Sequence, residues 1–439
     1  MNPDDPKAEL DRLLETTRDS GRPEAVASRH ARGYRTAREN LEDLCDPGSF
    51  VEYGQLAVAA QRRRRSEEEL RRQTPADGVI TGLATINAEQ FGTAASEVAV
   101  IVYDYTVLAG TQGYFHHRKI DRILAVAEDR RLPVVIFTEG GGGRPGDTDV
   151  TTQIAGLDLP TFARFAGLTG KVPRIAVNNG YCFAGNAALF GSADLRLATR
   201  TSWIGMAGPA MIEGGGLGRF EATDVGPVEV QSANGVVDRV TEDEAEATAC
   251  ARTLLSYFQG RTARYDHADQ SELAGLLPED RRYSYHVRRV IETLVDTGSF
   301  IELGADFGPS VITGFVRIEG RPLGLLASDC RVLGGAIDAD AAEKAARFMR
   351  LCSAHGIGLL SLIDTPGFMV GPDSEKQAAV RKMSDLFVAG AQLEVPLVAI
   401  FLRKAYGLGA MAMAGGSFAE PVHAAAWPTG EFGGMGLEG

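Results

Sequence analysis

Short apolar runs alternate along the chain with glycine-rich turns and with longer amphipathic segments. Continuously apolar runs predict strands covered on both faces, as in a parallel sheet. Apolar residues at helical spacing predict helices with one solvated face. The predicted strands are residues 78–86, 98–103, 133–137, 174–177 and 193–198, and the predicted helices are residues 7–44, 61–73, 119–130 and 241–257. Together they predict an α/β fold.

One strand leads into a segment with candidate chemistry, residues 178–189, with the sequence NNGYCFAGNAAL. The chain turns there through Gly180, Ala184 and Gly185 and then enters a predicted helix. The first N–H groups of a helix lack intrahelical partners, and two such donors side by side can stabilise an oxyanion. The alternative is an ordinary strand–helix turn, and this segment alone does not decide between them.

An internal repeat favours the functional interpretation. The segment LCDPGSFVEYG at 44–54 returns as LVDTGSFIELG at 294–304, and VITG at 79–82 returns at 311–314. Further along, residues 182–187 lie opposite residues 405–410. The chain is therefore predicted to contain two copies of one α/β unit, each with an oxyanion-type turn. Two such turns suggest chemistry on two carbonyl oxygens.

The repeat also sets the predicted domain limits. Residues 1–45 form an N-terminal helical segment, 46–275 a first domain and 285–439 a second domain. The polar stretch 260–284 is predicted to link the two halves. The second copy is shorter at its C-terminus, because residue 439 falls opposite about residue 216 of the first copy.

Other motifs are weaker. The tract at 141–146 fits GxGxxG, but the following DTDVTT does not predict the helix that a dinucleotide site requires. The pair His116-His117 is interpreted as a solvated helix start in preference to a catalytic base. The arginines at 62–65 are interpreted as part of a solvated helix, with contact to a polyphosphate as the alternative.

Composition narrows the function classes. A net charge of -13 argues against nucleic acid as the main partner. No apolar run approaches the 18 residues expected of a membrane span, and the N-terminus lacks the apolar core of a secretory signal. The five cysteines show neither CxxC nor metal-binding spacing, so we expect reduced thiols, no bound metal and a cytoplasmic protein.

Seven segments carry a resemblance to a known family: ARGYRTARENLEDLCDPGSFVE, ADGVITG, GYCFAGNAAL, GGAIDADAAEKAARFMRLC, DTPGFMVGPDSE, RKAYGLGA and AWPTGEFGGMGLEG. Over about residues 30–439 the chain resembles the carboxyltransferase (β) subunits of biotin-dependent acyl-CoA carboxylases, of the propionyl-CoA and methylcrotonyl-CoA carboxylase type. This family belongs to the crotonase-like superfamily. The resemblance implies tandem crotonase-like domains, each a superhelix of ββα units.

The resemblance also implies a reaction, the transfer of CO2 from carboxybiotin to the α-carbon of an acyl-CoA through an enolate. By position, Ala184 and Gly185 would hold the thioester oxygen, and Leu408 and Gly409 the biotin carbonyl. The residues expected to bind coenzyme A or biotin are Gly142, Gly143, Arg144, Phe183, Tyr406, Gly407, Ala410 and Met411. The family usually has two glycines at each turn, and Ala184 and Leu408 depart from that pattern.

The implied partners are an acyl-CoA substrate and a biotin carboxylase or biotin carrier subunit, because the chain has no biotin-attachment motif of its own. A homohexamer built as a trimer of dimers is expected, with active sites between the N-domain of one chain and the C-domain of another. Two alternatives stay open: a decarboxylase of a malonyl- or methylmalonyl-type CoA on the same scaffold, and a non-catalytic scaffold subunit.

Overall fold

The structure is a computed structural model that describes residues 5–150, 156–280 and 282–435. It divides into two compact units. The first contains the described residues up to Gln231 together with Val240–Leu255, and the second contains Ser232–Arg239 and the described residues from Ser256 onward. Residues 256–275, assigned above to the first domain, therefore cluster with the second unit. The other predicted domain limits stay predictions.

The stretch 260–284 contributes to a core, where a polar linker was predicted. Leu273 and Leu277 are buried in the same apolar cluster as Val290 and Leu325 of the second unit. A short 3₁₀ helix, Gln270–Gly275, brings the first of these leucines inward. Three leucines in a polar stretch, Leu273, Leu276 and Leu277, were too few to indicate burial by periodicity.

Seven described strands form the sheet of the first unit, in the order β1-β2-β3-β4-β5-β7-β9, and β6 pairs with β8 in a separate parallel ribbon. The first three strands pair antiparallel, and β3, β4, β5 and β7 pair parallel. The parallel strands are buried throughout, as their continuous apolar sequences predict. The strands are β1 (Val51–Tyr53), β2 (Val79–Thr85), β3 (Glu97–Tyr103), β4 (Val134–Phe137), β5 (Arg174–Asn178), β6 (Tyr181–Phe183), β7 (Leu195–Thr199), β8 (Trp203–Gly205) and β9 (Arg239–Thr241).

The helices of the first unit start and stop at recognisable signals. Three helices replace the single helix predicted over 7–44, because Pro23 opens a new helix and Gly33 has a φ of 80°. The helix predicted over 61–73 begins only after Ser66, whose side chain forms a capping box with Glu69. The helices are α1 (Pro6–Glu15), α2 (Pro23–His30), α3 (Ala37–Leu44), α4 (Glu67–Gln73), α5 (Ala88–Phe91), α6 (Thr93–Ser96), α7 (Tyr114–Arg130), α8 (Thr161–Gly167), α9 (Gly185–Gly191), α10 (Pro209–Gly214), α11 (Val228–Ala233) and α12 (Glu244–Ser256).

The second unit repeats the same plan. Its sheet runs β10-β11-β12-β13-β14-β15, antiparallel over the first three strands and parallel thereafter, with β16 also pairing to β14 among the described residues. The strands are β10 (Ile301–Leu303), β11 (Val311–Ile318), β12 (Arg321–Ser328), β13 (Leu359–Thr365), β14 (Leu397–Tyr406), β15 (His423–Ala426) and β16 (Glu431–Gly433). The helices are α13 (Val287–Leu294), α14 (Ala339–Ala354), α15 (Pro372–Lys376), α16 (Ala379–Ala391) and α17 (Gly407–Met413).

The repeat extends to individual side chains. The Thr81 hydroxyl donates to the Tyr53 carbonyl at 3.0 Å, and the Thr313 hydroxyl donates to the Leu303 carbonyl at 2.9 Å. A buried lysine packs against the same glycine of each repeat: a Cβ at Gly54 would lie 3.1 Å from Lys119 Cγ, and a Cβ at Gly304 would lie 2.9 Å from Lys344 Cδ. The two units are therefore copies in detail as well as in topology.

Three general findings concern the described residues. None of their helices has the length and apolar character needed to cross a lipid bilayer. In the same residues, no group of acidic, histidine and cysteine side chains is arranged to hold a metal ion. The five cysteines are all buried and take part in no disulfide.

Candidate active site

The turn before α9 places one residue in an unusual backbone conformation. Ala184 has a φ of 52° and a ψ of -117°, and Gly185 begins the helix. The Ala184 N–H donates to the Gly205 carbonyl at 3.0 Å. The prediction that Ala184 and Gly185 together hold an oxyanion therefore needs correction, because the Ala184 amide already has an acceptor. Among the described residues the Gly185 amide has no hydrogen-bond partner.

A second turn, the glycine loop of residues 139–144, supplies another available amide. The Gln112 N–H donates to the Gly142 carbonyl, and the Arg144 N–H donates to the Gln112 carbonyl, both at 2.8 Å. Gly143 lies between them in a parallel bridge with Gln112. Its own N–H consequently points away from that bridge, and within the described part of the chain it has no acceptor.

Asn186 fastens the glycine loop to α9. Its side-chain oxygen accepts from the Gly142 N–H at 3.0 Å, and its side-chain nitrogen donates to the Thr138 carbonyl at 3.1 Å. The Asn186 side chain is fully buried. The Gly142 amide is therefore committed to Asn186. A Cβ added at Gly142 would lie 2.8 Å from the Ala184 Cβ, so the loop and the turn are in direct contact.

Gly143 and Gly185 both line one cavity of about 720 Å³. A Cβ at Gly185 would overlap the Gln112 side-chain carbonyl and lie 3.1 Å from the Phe162 ring, so only glycine leaves this wall clear. The cavity combines a mainly apolar wall with a few polar side chains, as small-molecule sites commonly do. Its other lining residues are Gly113, Tyr114, His117, Arg144, Pro145, Asp147, Val150, Gly156, Leu157 and Leu159.

The second unit repeats the loop arrangement. The Ile337 N–H donates to the Gly367 carbonyl at 3.0 Å, and the Met369 N–H donates to the Ile337 carbonyl at 2.8 Å. Phe368 lies between them in a parallel bridge with Ile337, as Gly143 does with Gln112. In the described chain the Phe368 amide likewise has no acceptor.

The turn before α17 completes the parallel. Gly407 has a φ of 58°, like Ala184, so Leu408 and not Gly409 is the counterpart of Gly185. The described residues provide no acceptor for the Leu408 amide, and its side chain is 61% exposed. A Cβ at Gly409 would lie 2.6 Å from the Gly367 carbonyl carbon, so a glycine here lets α17 approach the loop.

The remaining predicted residues surround the two turns. Phe183 is buried and stacks on Tyr181, with ring centroids 5.8 Å apart. The Tyr406 hydroxyl donates to Glu431 at 2.6 Å. Ala410 is fully buried and Met411 is half-buried on α17.

A buried ion pair lies at the start of the glycine loop. The Arg29 guanidinium on α2 donates to both oxygens of the Glu139 carboxylate, at 2.9 Å for the Nη1–Oε1 contact. Glu244 lies 3.9 Å from the same guanidinium. Burial raises the pKa of Glu139 to about 7, against the opposing effect of Arg29. Sequence reasoning missed Arg29, because nothing local marks a residue that pairs 110 positions away.

Arg144 is also held by carboxylates. It contacts Asp77 at 2.5 Å and Asp147 at 2.8 Å, and its side chain is 5% exposed. Burial raises the pKa of Asp77 to about 6, with Arg144 acting in the opposite direction. The Arg144 charge is therefore balanced within the protein, which leaves it little free charge to offer a phosphate.

The arginines at 62–65 form a turn before α4. The Arg62 and Arg63 amides donate to the Asp149 carboxylate at 2.7 and 2.9 Å. The side chain of Arg62 pairs with Glu67 at 3.0 Å and that of Arg65 contacts Gln73. The alternative role of these arginines, contact with a polyphosphate, stays a prediction.

The two histidines of α7 are buried, which corrects the predicted solvated helix start. His116 is 0% exposed and His117 is 4% exposed. The His116 backbone N–H donates to the Asp77 carboxylate at 2.7 Å, and its ring Nδ1 lies 3.0 Å from the Asp77 carbonyl oxygen. His117 instead lines the cavity. The amphipathic pattern did not indicate this burial, because α8, which packs on α7, lies about forty positions further along the chain.

Comparison with known proteins agrees with this architecture. A family model, the carboxyl transferase domain, matches residues 28–439. The propionyl-CoA carboxylase beta chain of Saccharopolyspora erythraea is 32% identical over 442 residues, which cover 96% of this chain and 78% of that protein.

Two solved structures are also similar. A single-chain, multi-domain long-chain acyl-CoA carboxylase has a TM-score of 0.95 and 56% identity, covering 98% of this chain. This chain spans 44% of that enzyme's length. The transcarboxylase 12S hexamer with methylmalonyl-CoA bound has a TM-score of 0.86 and 29% identity, covering 98% of this chain and 84% of that one.

Two α/β units of one topology, each with a turn and a loop whose main-chain amides have no acceptor among the described residues, define the class of protein. By sequence and structure, the chain belongs to the carboxyl transferase family. The predicted resemblance and the predicted tandem crotonase-like fold are thereby confirmed. Carboxyl transfer with acyl-CoA, the predicted class of reaction, is confirmed for this family.

Proposed function

We propose that the protein is the carboxyltransferase component of an acyl-CoA carboxylase, moving a carboxyl group to the α-carbon of an acyl-CoA. The observation that carries the proposal is a matched pair of amides in each unit that have no acceptor among the described residues, Gly143 with Gly185 and Phe368 with Leu408. Removing the α-proton of a thioester places negative charge on its oxygen, and such charge is stabilised most by preorganised donors.

In this proposal the first unit binds the acyl-CoA. The Gly143 and Gly185 amides donate to the thioester oxygen as the enolate forms, and the adjoining cavity receives part of the ligand. Gly142 positions the loop through Asn186 and is not itself a donor to the ligand. Arg144 shapes the cavity wall as part of its ion pair with Asp77 and Asp147.

The second unit is proposed to hold biotin, carried by a partner protein, which supplies the carboxyl group when bound. The residues present fit that group, because the Phe368 and Leu408 amides have no acceptor among the described residues and are available to a carbonyl oxygen. Phe368 and Leu408 would donate to its ureido oxygen, and Gly409 keeps α17 close to the loop. Tyr406, Gly407, Ala410 and Met411 would border this position. A homohexamer is proposed, by analogy with the hexamer assembly of transcarboxylase 12S.

The direct test is a transfer assay with a carboxylated biotin carrier and a series of acyl-CoA thioesters. Formation of the carboxylated thioester supports the proposal. Release of CO2 from a carboxylated thioester, without transfer in the other direction, would establish the decarboxylase alternative. If no acyl-CoA binds in calorimetric titration, the proposed function is wrong and a scaffold role is favoured.

A further inference from the structure

The wall of the cavity beside Gly185 contains a histidine that the amide mechanism does not use. His117 lines this cavity and its ring lies 5.9 Å from that of Phe162, centroid to centroid. Phe162 in turn lies against Gly185. The nearly buried His117 side chain therefore contacts Phe162, which in turn contacts Gly185, whose amide is proposed to hold the thioester oxygen.

A chain of hydrogen bonds fixes the orientation of this histidine. His117 and Asp121 are four residues apart on α7 and share one face, and Thr161 at the start of α8 lies between them. The Thr161 hydroxyl donates to Asp121 at 2.6 Å, and its oxygen lies 2.9 Å from His117 Nδ1. All three side chains are at least nine-tenths buried.

The same hydrogen bonds determine which nitrogen of His117 carries the proton. The single Thr161 hydroxyl proton is donated to Asp121, so Thr161 can only accept from His117. Nδ1 is therefore protonated, and Nε2 carries a lone pair. Burial, with a smaller contribution from Arg144, lowers the pKa of His117 to about 4, so the imidazole is neutral at neutral pH. Within the described residues Nε2 has no hydrogen-bond partner.

From this geometry we propose that His117 Nε2 is a fixed hydrogen-bond acceptor that binds an N–H or O–H donor of the acyl-CoA close to its thioester. The inference rests on the proposed function and extends it to recognition of the substrate. Thr161 and Asp121 are positioning residues, because they act only through His117. An acceptor left unpaired in an occupied, desolvated cavity is costly, so a ligand with a matching donor is favoured over one without it.

Two parts of an acyl-CoA carry such a donor near the thioester. One is the first amide N–H of the pantetheine arm, and the other is a hydroxyl on the acyl chain. Two ligand pairs separate these sources. Octanoyl-CoA and 3-hydroxyoctanoyl-CoA differ only in the hydroxyl, whereas S-octanoyl-N-acetylcysteamine and its analogue with an ester in place of the amide differ in the N–H.

The experiment measures dissociation constants of these four ligands by calorimetry, directly for the coenzyme A thioesters and by competition for the shorter ones. In the wild-type protein one pair should show tighter binding of the donor-bearing member by roughly 3- to 10-fold. Tighter binding of 3-hydroxyoctanoyl-CoA than of octanoyl-CoA assigns the donor to the acyl chain. Tighter binding of the amide than of its ester analogue assigns the donor to the pantetheine arm. His117→Phe, which keeps a ring but has no acceptor, should abolish the preference.

Matched variants test the positioning role. Thr161→Val removes the hydroxyl that orients the ring and should reduce the preference, whereas Thr161→Ser should retain it. Thermal unfolding of each variant verifies that it is folded. A preference that survives in His117→Phe, or thioester binding with no preference in either pair, overturns the inference alone. Absence of thioester binding in the wild-type protein overturns the proposed function and this inference together.

Discussion

Arg29, on a helix near the N-terminus, donates to both oxygens of the Glu139 carboxylate, where the glycine loop begins. Both side chains are at most 6% exposed. Arg29→Met should destabilise the protein by about 3–5 kcal/mol, because it leaves a buried carboxylate without its partner. Denaturant unfolding of the two proteins measures this difference.

Two further variants test whether burial of the ion pair causes the loss of stability in Arg29→Met. Adding Glu139→Gln to Arg29→Met removes the unpaired charge and should recover part of the lost stability. Arg12→Met breaks a pair whose arginine is 72% exposed and should cost less than about 1 kcal/mol. Equal losses for Arg29→Met and Arg12→Met would contradict the importance of burial.

Leu408→Pro should lower the rate of carboxyl transfer by about 10²- to 10³-fold, the usual cost of one oxyanion donor. Proline removes the amide hydrogen and is tolerated in the first turn of a helix, where this N–H has no intrahelical partner. Leu408→Ala keeps the amide and should retain most of the activity. Steady-state kinetics with a carboxylated biotin carrier compares the two variants. Similar rates for both would argue against the Leu408 amide as a donor.

Ala184→Gly should stabilise the protein by about 1 kcal/mol, since a residue with a Cβ is strained at a φ of 52° and a ψ of -117°. Glycine adopts this conformation readily. The control is Ala188→Gly, within the regular part of α9, which should destabilise by about 1 kcal/mol. Thermal unfolding gives both values, and a loss of stability in Ala184→Gly would show that the methyl group contributes more than the strain costs.

Neutral His117 should make stability depend on pH. Its pKa is lowered to about 4 in the folded protein, against about 6.5 in an unfolded chain. As the pH falls from about 6.5, the unfolded chain takes up the proton before the folded protein does. The stability associated with the neutral imidazole is therefore fully present above about pH 6.5 and is lost as the pH approaches about 4.

The decrease in the free energy of unfolding that is due to His117 should reach about 3 kcal/mol. His117→Gln should therefore show a smaller fall in unfolding free energy between pH 7 and pH 4.5 than the wild-type protein does. The exposed His267→Gln controls for the removal of one histidine. An unchanged pH profile in His117→Gln would contradict the burial of a neutral imidazole.

The strands and the internal repeat could be predicted because continuous apolar runs and recurring turn residues are local signals. The turn at 184–185 could be found for the same reason, and Gly142 and Gly143 were expected at the site, but which of these amides lack an acceptor could not be predicted. Whether an amide is free depends on a loop brought from another strand, as Gly143 is brought beside Gly185. The alignment of the repeat did pair Ala184 with Gly407 and Gly185 with Leu408, and the positive φ values of Ala184 and Gly407 agree with it. Only the pair of donors implied by the family resemblance, Leu408 with Gly409, differed from that alignment.

Histidine burial and the core contribution of Leu273 escaped prediction for a related reason. His117 is covered by α8, and Leu273 by strands and helices up to about 130 residues away. Periodicity describes which face of a segment is apolar, but it does not identify what packs there. Arg29 and Asn186 were missed likewise, since polar residues that hold a loop from a distance resemble surface residues in sequence.

The four amides proposed as donors have a consequence for divergence within the family. A main-chain N–H is supplied by every residue except proline, so Leu408 can stand where glycine is usual without loss of the donor. The demand at these turns is on backbone shape, which Ala184 and Gly407 meet with nearly the same φ. The side chains that line the cavity are under no such constraint. Substrate range can therefore drift by substitution at positions such as His117 while the reaction itself is inherited unchanged.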